Sequence, residues 1–196
     1  MKIASLQGPW SVGKSTLLHS LKTNSALRLL TKKEFGENER RERDQHDFDL
    51  SDPRDFVRNQ EIFFRGELNR YNSFKDLTVD YLILDRGPED TLCFTEIHSI
   101  AIGAKWDIRE EIQRLRAQYM RYESDLIIYL YAELQELRRR RSADTCKTRR
   151  NYDKYLELYY THEFDFFQNQ KNTVFVDTTN MTPKELYERV LDLLKA

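Results

Sequence analysis

A lysine and a serine, Lys14 and Ser15, sit near the end of GPWSVGKST (Gly8 to Thr16), which meets the phosphate-binding pattern G-x-x-x-x-G-K-[ST] at every fixed position. Gly8 and Gly13 can adopt backbone angles closed to other residues, so successive N–H groups turn inward and cradle phosphate oxygens. Lys14 is expected to reach the β- and γ-phosphates, and Ser15 to offer its hydroxyl to Mg²⁺. The helix that starts there points its partially positive end at the same anion. Gly8, Ser11, Val12, Gly13, Lys14, Ser15 and Thr16 are therefore expected to bind a nucleoside triphosphate, ATP or GTP.

Other residue groups bear on what is done with that phosphate. Asp85 ends the apolar run YLIL and is followed at once by Arg86. A carboxylate at such a strand tip suits magnesium, held through water, and the adjacent cation suits a phosphate or an acceptor. Glu34 lies just past a second apolar run, where open α/β sheets place their ligands, and could take a proton from an attacking hydroxyl. Gln60 falls among apolar residues of a helical repeat and needs amide-like partners, from the protein or from a substrate. The run ELQELRRRR, Glu133 to Arg141, ends in four arginines. It is expected to form a helical lid over 138–152 that brings guanidinium groups, Arg138 and Arg141 among them, to the charge on a transferred phosphoryl group. Trp10, inside the loop, is left between facing an acceptor and packing on the third strand.

These groups must be held by elements that alternate. Strands are predicted at 2–6, 27–31, 81–84, 125–132 and 173–177, and helices at 15–22, 56–74, 91–105, 108–123, 133–141, 152–167 and 182–194. In the helix at 56–74, Phe56, Gln60, Phe63, Phe64 and Leu68 share one face, and Arg58, Arg65 and Arg70 lie elsewhere. The segment 36–55 is dense in charge and reads as a solvated acceptor-side loop or insertion. His46, Asp47, Asp49 and Asp52 within it repeat no metal-ligand spacing. The order argues for an α/β fold in one domain spanning 1–196: a five-stranded parallel sheet with helices on both faces.

Hydrophobic residues make up 39% of the 196, enough to fill one core. With 32 basic and 33 acidic residues the formal charge is −1, which gives no bulk electrostatic case for nucleic acid or anionic membrane. No apolar run has the length to cross a bilayer, and MKIASL leads straight into the first strand, so a cytoplasmic protein is expected. Cys93 and Cys146 show no metal-ligand spacing and fit free thiols.

GPWSVGKST, the DRG at the third strand tip, DLIIYLYA before the arginine run, YLELYYTHE after it and VDTTN at the last strand together resemble the phosphate-loop kinases of small molecules. The likeness is to the deoxynucleoside kinase and thymidylate kinase branch, and DRGPEDT is similar to the nicotinamide riboside kinase group. The resemblance implies a P-loop NTPase fold. It implies that Lys14 and Ser15 bind triphosphate and magnesium, that Asp85 and Arg86 bind metal and acceptor, and that lid arginines fall within Arg138 to Arg141. It further implies that Glu34, 20 residues beyond Lys14, is the base. The activity expected is an ATP- or GTP-dependent, Mg²⁺-dependent phosphotransferase acting on a nucleoside or nucleotide, with Glu34, Gln60 and Arg86 around the acceptor. A nucleotide-dependent switch and a polynucleotide-end kinase are the alternatives, and homodimerisation is left open.

Overall fold

The computed structural model describes residues 1–22, 29–32, 37–119, 123–144 and 151–195. Along the chain run β1 (Lys2–Gln7), α1 (Lys14–Lys22), β2 (Leu29–Lys32), α2 (Glu37–Asp44), α3 (Pro53–Asn72), β3 (Tyr81–Asp85) and α4 (Pro88–Ala101). They are followed by α5 (Arg109–Tyr119), β4 (Leu126–Tyr131), α6 (Leu134–Ala143), α7 (Tyr152–Gln168), β5 (Thr173–Asp177) and α8 (Pro183–Lys195). The sheet has the order β2-β3-β1-β4-β5, and every pairing is parallel. Because β1 lies between β3 and β4, the chain leaves it toward one side of the sheet first and the other side later. A crevice forms at the C-terminal strand ends where the direction changes.

Period-2 alternation sends successive β4 residues to opposite faces. Ile128 and Leu130 join Leu17, Leu18 and Leu21 of α1 and Leu186, Val190 and Leu194 of α8 in one buried cluster. Ile127 and Tyr129 join Phe64 of α3, Leu92, Cys93 and Ile97 of α4, Leu115 of α5, and Phe166 and Phe167 of α7 in another. Helices therefore cover both faces, and the near-continuous apolar composition of β4 follows from burial on each.

The charge-dense segment 36–55 departs from expectation. Instead of a solvated loop throughout, it contains α2, since Glu and Arg are good helix formers whatever their hydropathy. Glu42 pairs with Arg65 of α3, and Gly66 of α3 leaves room for Glu39, whose Cγ would stand 2.6 Å from an added Cβ. Asp52 caps α3 by accepting from Arg54 N (2.8 Å) and Asp55 N (3.1 Å), with Pro53 at the first helical position. The helix thus begins ahead of its apolar stripe. Asp49 accepts from the backbone and hydroxyl of Ser51, so it and Asp52 serve a turn and a cap. Among the described residues no group of three His, Cys, Asp or Glu is placed to hold a metal ion. No helix of the described residues is long and apolar enough to cross a membrane.

The arginine run lies within α6 as a continuous helix. Of the expected lid at 138–152, residues 145–150 lie outside the described residues, as does Cys146.

Candidate active site

The turn after β1 is shaped by two glycines for different reasons. Gly8 has φ +119°, and a Cβ there would sit 2.0 Å from the carbonyl oxygen of Leu130, so both conformation and space forbid a side chain. Gly13 has φ +114° with only Leu186 nearby, so conformation alone selects it. Ser11 between them also has positive φ, 65°. Val12 points into the core, Lys14 is buried beneath the turn, and Ser15 and Thr16 are exposed at the start of α1. Lys14 Nζ donates to Gly8 O (2.5 Å) and Pro9 O (2.9 Å). Burial, with the Arg86 charge second, pushes its ammonium down to about 7.

Parallel pairing of β1 with β3 sets Leu6 opposite Asp85, so the acid arrives beside the loop. Arg86 follows with φ +56°, a left-handed conformation uncommon for a side chain of this size, and its N–H donates to Leu6 O at 3.1 Å. Its guanidinium pairs with Asp90 in the first turn of α4. The α4 acids are thus engaged beyond the helix dipole, for Glu89 accepts from Ser124 N at 2.7 Å.

The loop and this tip open into a single cleft of about 1730 Å³. On one side lie Ser15, Thr16, Arg139, Arg140 and the turn 178–183; on the other lie Asn59, Gln60 and Phe63 of α3, Phe94 and Ile97 of α4, Tyr159 of α7, and Arg40 and Arg43 of α2. Gln60 is 1% exposed. Its amide oxygen lies 3.0 Å from Thr95 Oγ1, whose one proton also reaches Thr91 O at 2.6 Å. In either orientation one Gln60 amide atom is left without a protein partner.

The arginines of α6 divide. Arg138 pairs with Asp153 (3.2 Å) and Glu157 (4.0 Å) of α7, while Arg141 donates to Asp144 O and lies over the Tyr152 ring. The structure turns both toward α7 rather than the cleft wall, where Arg139 and Arg140 stand. Arg139 has an exposed side chain paired with Glu136. Arg140 spans elements: it donates to Val12 O in the loop (3.2 Å), to Thr178 Oγ1 (3.0 Å) and to the carbonyls of Thr178 and Thr179 after β5, and it also pairs with Glu136. It braces the loop against the β5–α8 turn.

Glu34 lies outside the described residues. A carboxylate that sequence reasoning passed over, Glu163 of α7, is 3% exposed and lines the same cleft. It accepts from Tyr155 OH at 2.5 Å, and its other oxygen has no hydrogen-bond partner. Burial raises it above the ordinary carboxyl range, opposed chiefly by the Arg86 charge. The Tyr155 ring stacks on Trp10 of the loop, centroids 4.2 Å apart and planes 14° from parallel. Trp10 therefore packs on α7, not on the third strand, while also lining the cleft. The motif YLELYYTHE ends on Glu163 without marking this carboxylate's role; the cleft, which only the fold assembles, brings it to the site.

As to metal, Ser15 and Asp85 supply hard oxygen donors on one wall of the cleft, the type Mg²⁺ prefers. Since the described residues hold no larger ligand cluster, the ion would draw its remaining ligands from water and phosphate.

The sequence profile of a family described as an AAA domain matches residues 4–176. Among solved structures, deoxyadenosine kinase from M. mycoides with bound dATP aligns with a TM-score of 0.75 at 16% identity, over 100% of both chains. The same enzyme with products dCMP and a flexible dCDP gives 0.71 at 17%, over 100% of this chain and 99% of that one. Thymidylate kinase from Candida albicans gives 0.69 at 14%, over 99% and 91%. Among curated proteins none matches by sequence. At such identities the likeness is one of fold, and at that level it agrees with the resemblance read from the motifs.

Proposed function

We propose that this chain, which belongs to the AAA domain family, is a phosphotransferase that moves the γ-phosphoryl group of ATP or GTP to a nucleoside or nucleotide. The observation that carries this is the cleft. Its volume, about 1730 Å³, exceeds the roughly 300–1,000 Å³ of a site for one small ligand, and its two sides differ in chemistry. The loop side is built from backbone donors, Lys14 and the α6 guanidinium groups; the α3–α4 side adds aromatic faces and the incompletely satisfied Gln60 amide to Arg40 and Arg43. A switch that only hydrolyses its nucleotide needs the first side alone. The two aligned kinases, named for a nucleoside and a nucleotide, point to the same acceptor classes.

Catalysis on this reading is positioning and charge stabilisation. Lys14 and the loop amides hold the β- and γ-phosphates. Arg139, held by both Glu136 oxygens (2.6 and 2.8 Å) with its side chain exposed on the cleft wall, is the arginine placed to turn onto the transferred group. Arg86, fixed by Asp90, faces the acceptor, and Glu34 takes the acceptor's proton. Ser15 and Asp85 would hold Mg²⁺, which supplies neutralisation of phosphate charge when bound.

The test is a phosphoryl-transfer screen with labelled ATP and GTP against nucleosides, nucleoside monophosphates and nicotinamide riboside. Transfer to at least one class is expected; uniform failure with nucleotide binding intact would leave the switch.

Lys14 adds a pH dependence. Triphosphate binding requires the ammonium and draws its proton affinity back up from about 7. Above that pH, binding must take up a proton, so nucleotide affinity is expected to fall as pH rises. Titration calorimetry in buffers of differing ionisation heat reads the uptake; affinity constant between about pH 6 and 9 would refute it.

A further inference from the structure

Behind the β3 tip stands an arginine that the helical pattern placed away from the buried face. Arg70 of α3 is 9% exposed as a residue, and its fork spans two successive carbonyls of the turn: Nη2 donates to Arg86 O at 2.7 Å and Nη1 reaches Asp85 O at 3.4 Å. Its counter-ion is Glu67, one turn back on α3, 2.7 Å away, and the two side chains are 7% and 4% exposed.

The turn needs such a hold. Arg86 keeps a left-handed conformation that costs free energy for any side-chain-bearing residue and persists only where its surroundings impose it. Two restraints come from near the turn itself, the Arg86 N–H on Leu6 O and the Arg86–Asp90 pair. Arg70 brings another from a separate helix and acts on the carbonyls, which set the orientation of the peptide planes on either side of Arg86. The consequence reaches the cleft, since both Asp85 and Arg86 line it.

Stability alone does not account for an arginine here. A buried ion pair is commonly matched or bettered by apolar residues of equal volume. What those cannot reproduce is a rigid planar fork on two carbonyls, and neither can a lysine, with its single ammonium. Glu67 fits the same account: burial raises its carboxyl above the ordinary range, the Arg70 charge opposes that shift, and its Oε1 has no hydrogen-bond partner.

We propose that Arg70 is a positioning residue: its fork on the carbonyls of Asp85 and Arg86 fixes the left-handed turn that aims the carboxylate and the guanidinium into one cleft. The proposal rests on the reading of that cleft as a phosphotransfer site. Arg70→Lys retains the charge facing Glu67 and is expected to lower kcat by about 100-fold, the cost of misplacing a reacting group by about 1 Å. Affinity for metal-free ATP, which depends on the loop, is expected to stay at the wild-type value. The double variant Glu67→Leu/Arg70→Met removes both charges; it should melt no lower than wild type and turn over as slowly as Arg70→Lys. Should Arg70→Lys fail to fold, the double variant decides. Wild-type kcat in either folded variant would overturn the proposal. If wild type transfers phosphate to no acceptor, the phosphotransfer reading fails by itself, and Arg70 is judged by metal-assisted binding. Mg²⁺ strengthening ATP binding in wild type but not in Arg70→Lys supports it; an equal gain, or none in wild type, overturns it.

Discussion

Lys14→Met is expected to lower turnover by about 10²–10³-fold, the usual loss when one preorganised charge-stabilising donor is removed. Methionine matches the length of the stem and keeps apolar contact, so the packing beneath the turn survives. What disappears is the ammonium, together with its bonds to Gly8 O and Pro9 O. Those bonds are given up against the relief of no longer burying a charge whose ordinary value has been driven from 10.5 to about 7. The melting temperature should therefore move little while activity collapses, the pattern of a site that trades stability for function. Calorimetric melting and steady-state kinetics on the same preparation measure both. A variant that still transfers phosphate at the wild-type rate would exclude the loop as the donor site.

Glu34→Gln carries the other large effect, a fall in acceptor-dependent turnover of about 10²–10⁴-fold with ATP binding unchanged, since a general base contributes about that much. The structure supplies the control. Glu163 lies in the same cleft, but burial holds its carboxyl toward the protonated form and Tyr155 occupies one oxygen. Glu163→Gln should therefore cost far less than Glu34→Gln. If the order is reversed, Glu163 is the proton acceptor and Glu34 has no such role. If both variants keep full turnover, the nucleoside-kinase assignment falls.

Much of this arrangement was legible in the residues, and what was not shares a cause. The loop, the Asp85–Arg86 tip and the alternation of elements are local, written as spacing, apolar runs and glycine positions. The start of α3 was equally local: Asp52-Pro53 is a cap followed by a proline at the first helical position. Charge density, the usual mark of a loop, hides both this start and α2. Arg70, Glu163 and the Arg86–Asp90 pair were out of reach in a different way. Periodicity separates apolar from charged faces, and Arg70 is a charged residue on the buried face, tolerated there because Glu67 and two carbonyls await it. Glu163 owes its place to α7 crossing the cleft far along the chain from Lys14. The division of labour among the arginines of α6 also required three dimensions, because consecutive helical residues point about 100° apart and their partners lie on α7, α8's approach and the loop.

The brace formed by Arg140 bears on how such a protein changes over evolutionary time. By gripping Val12 in the loop and Thr178 and Thr179 after β5 with one guanidinium, it makes the nucleotide-facing half a mechanically shared unit, in which alteration of any part strains the rest. Of the facing wall, which α2, α3, α4 and α7 share, the α2 part rests on α3 through surface pairs such as Glu42–Arg65. Substitutions accumulate at lower cost there. On the proposed reading, a lineage built on this plan can exchange one acceptor for another by redrawing that part of the wall while its phosphate chemistry stays fixed.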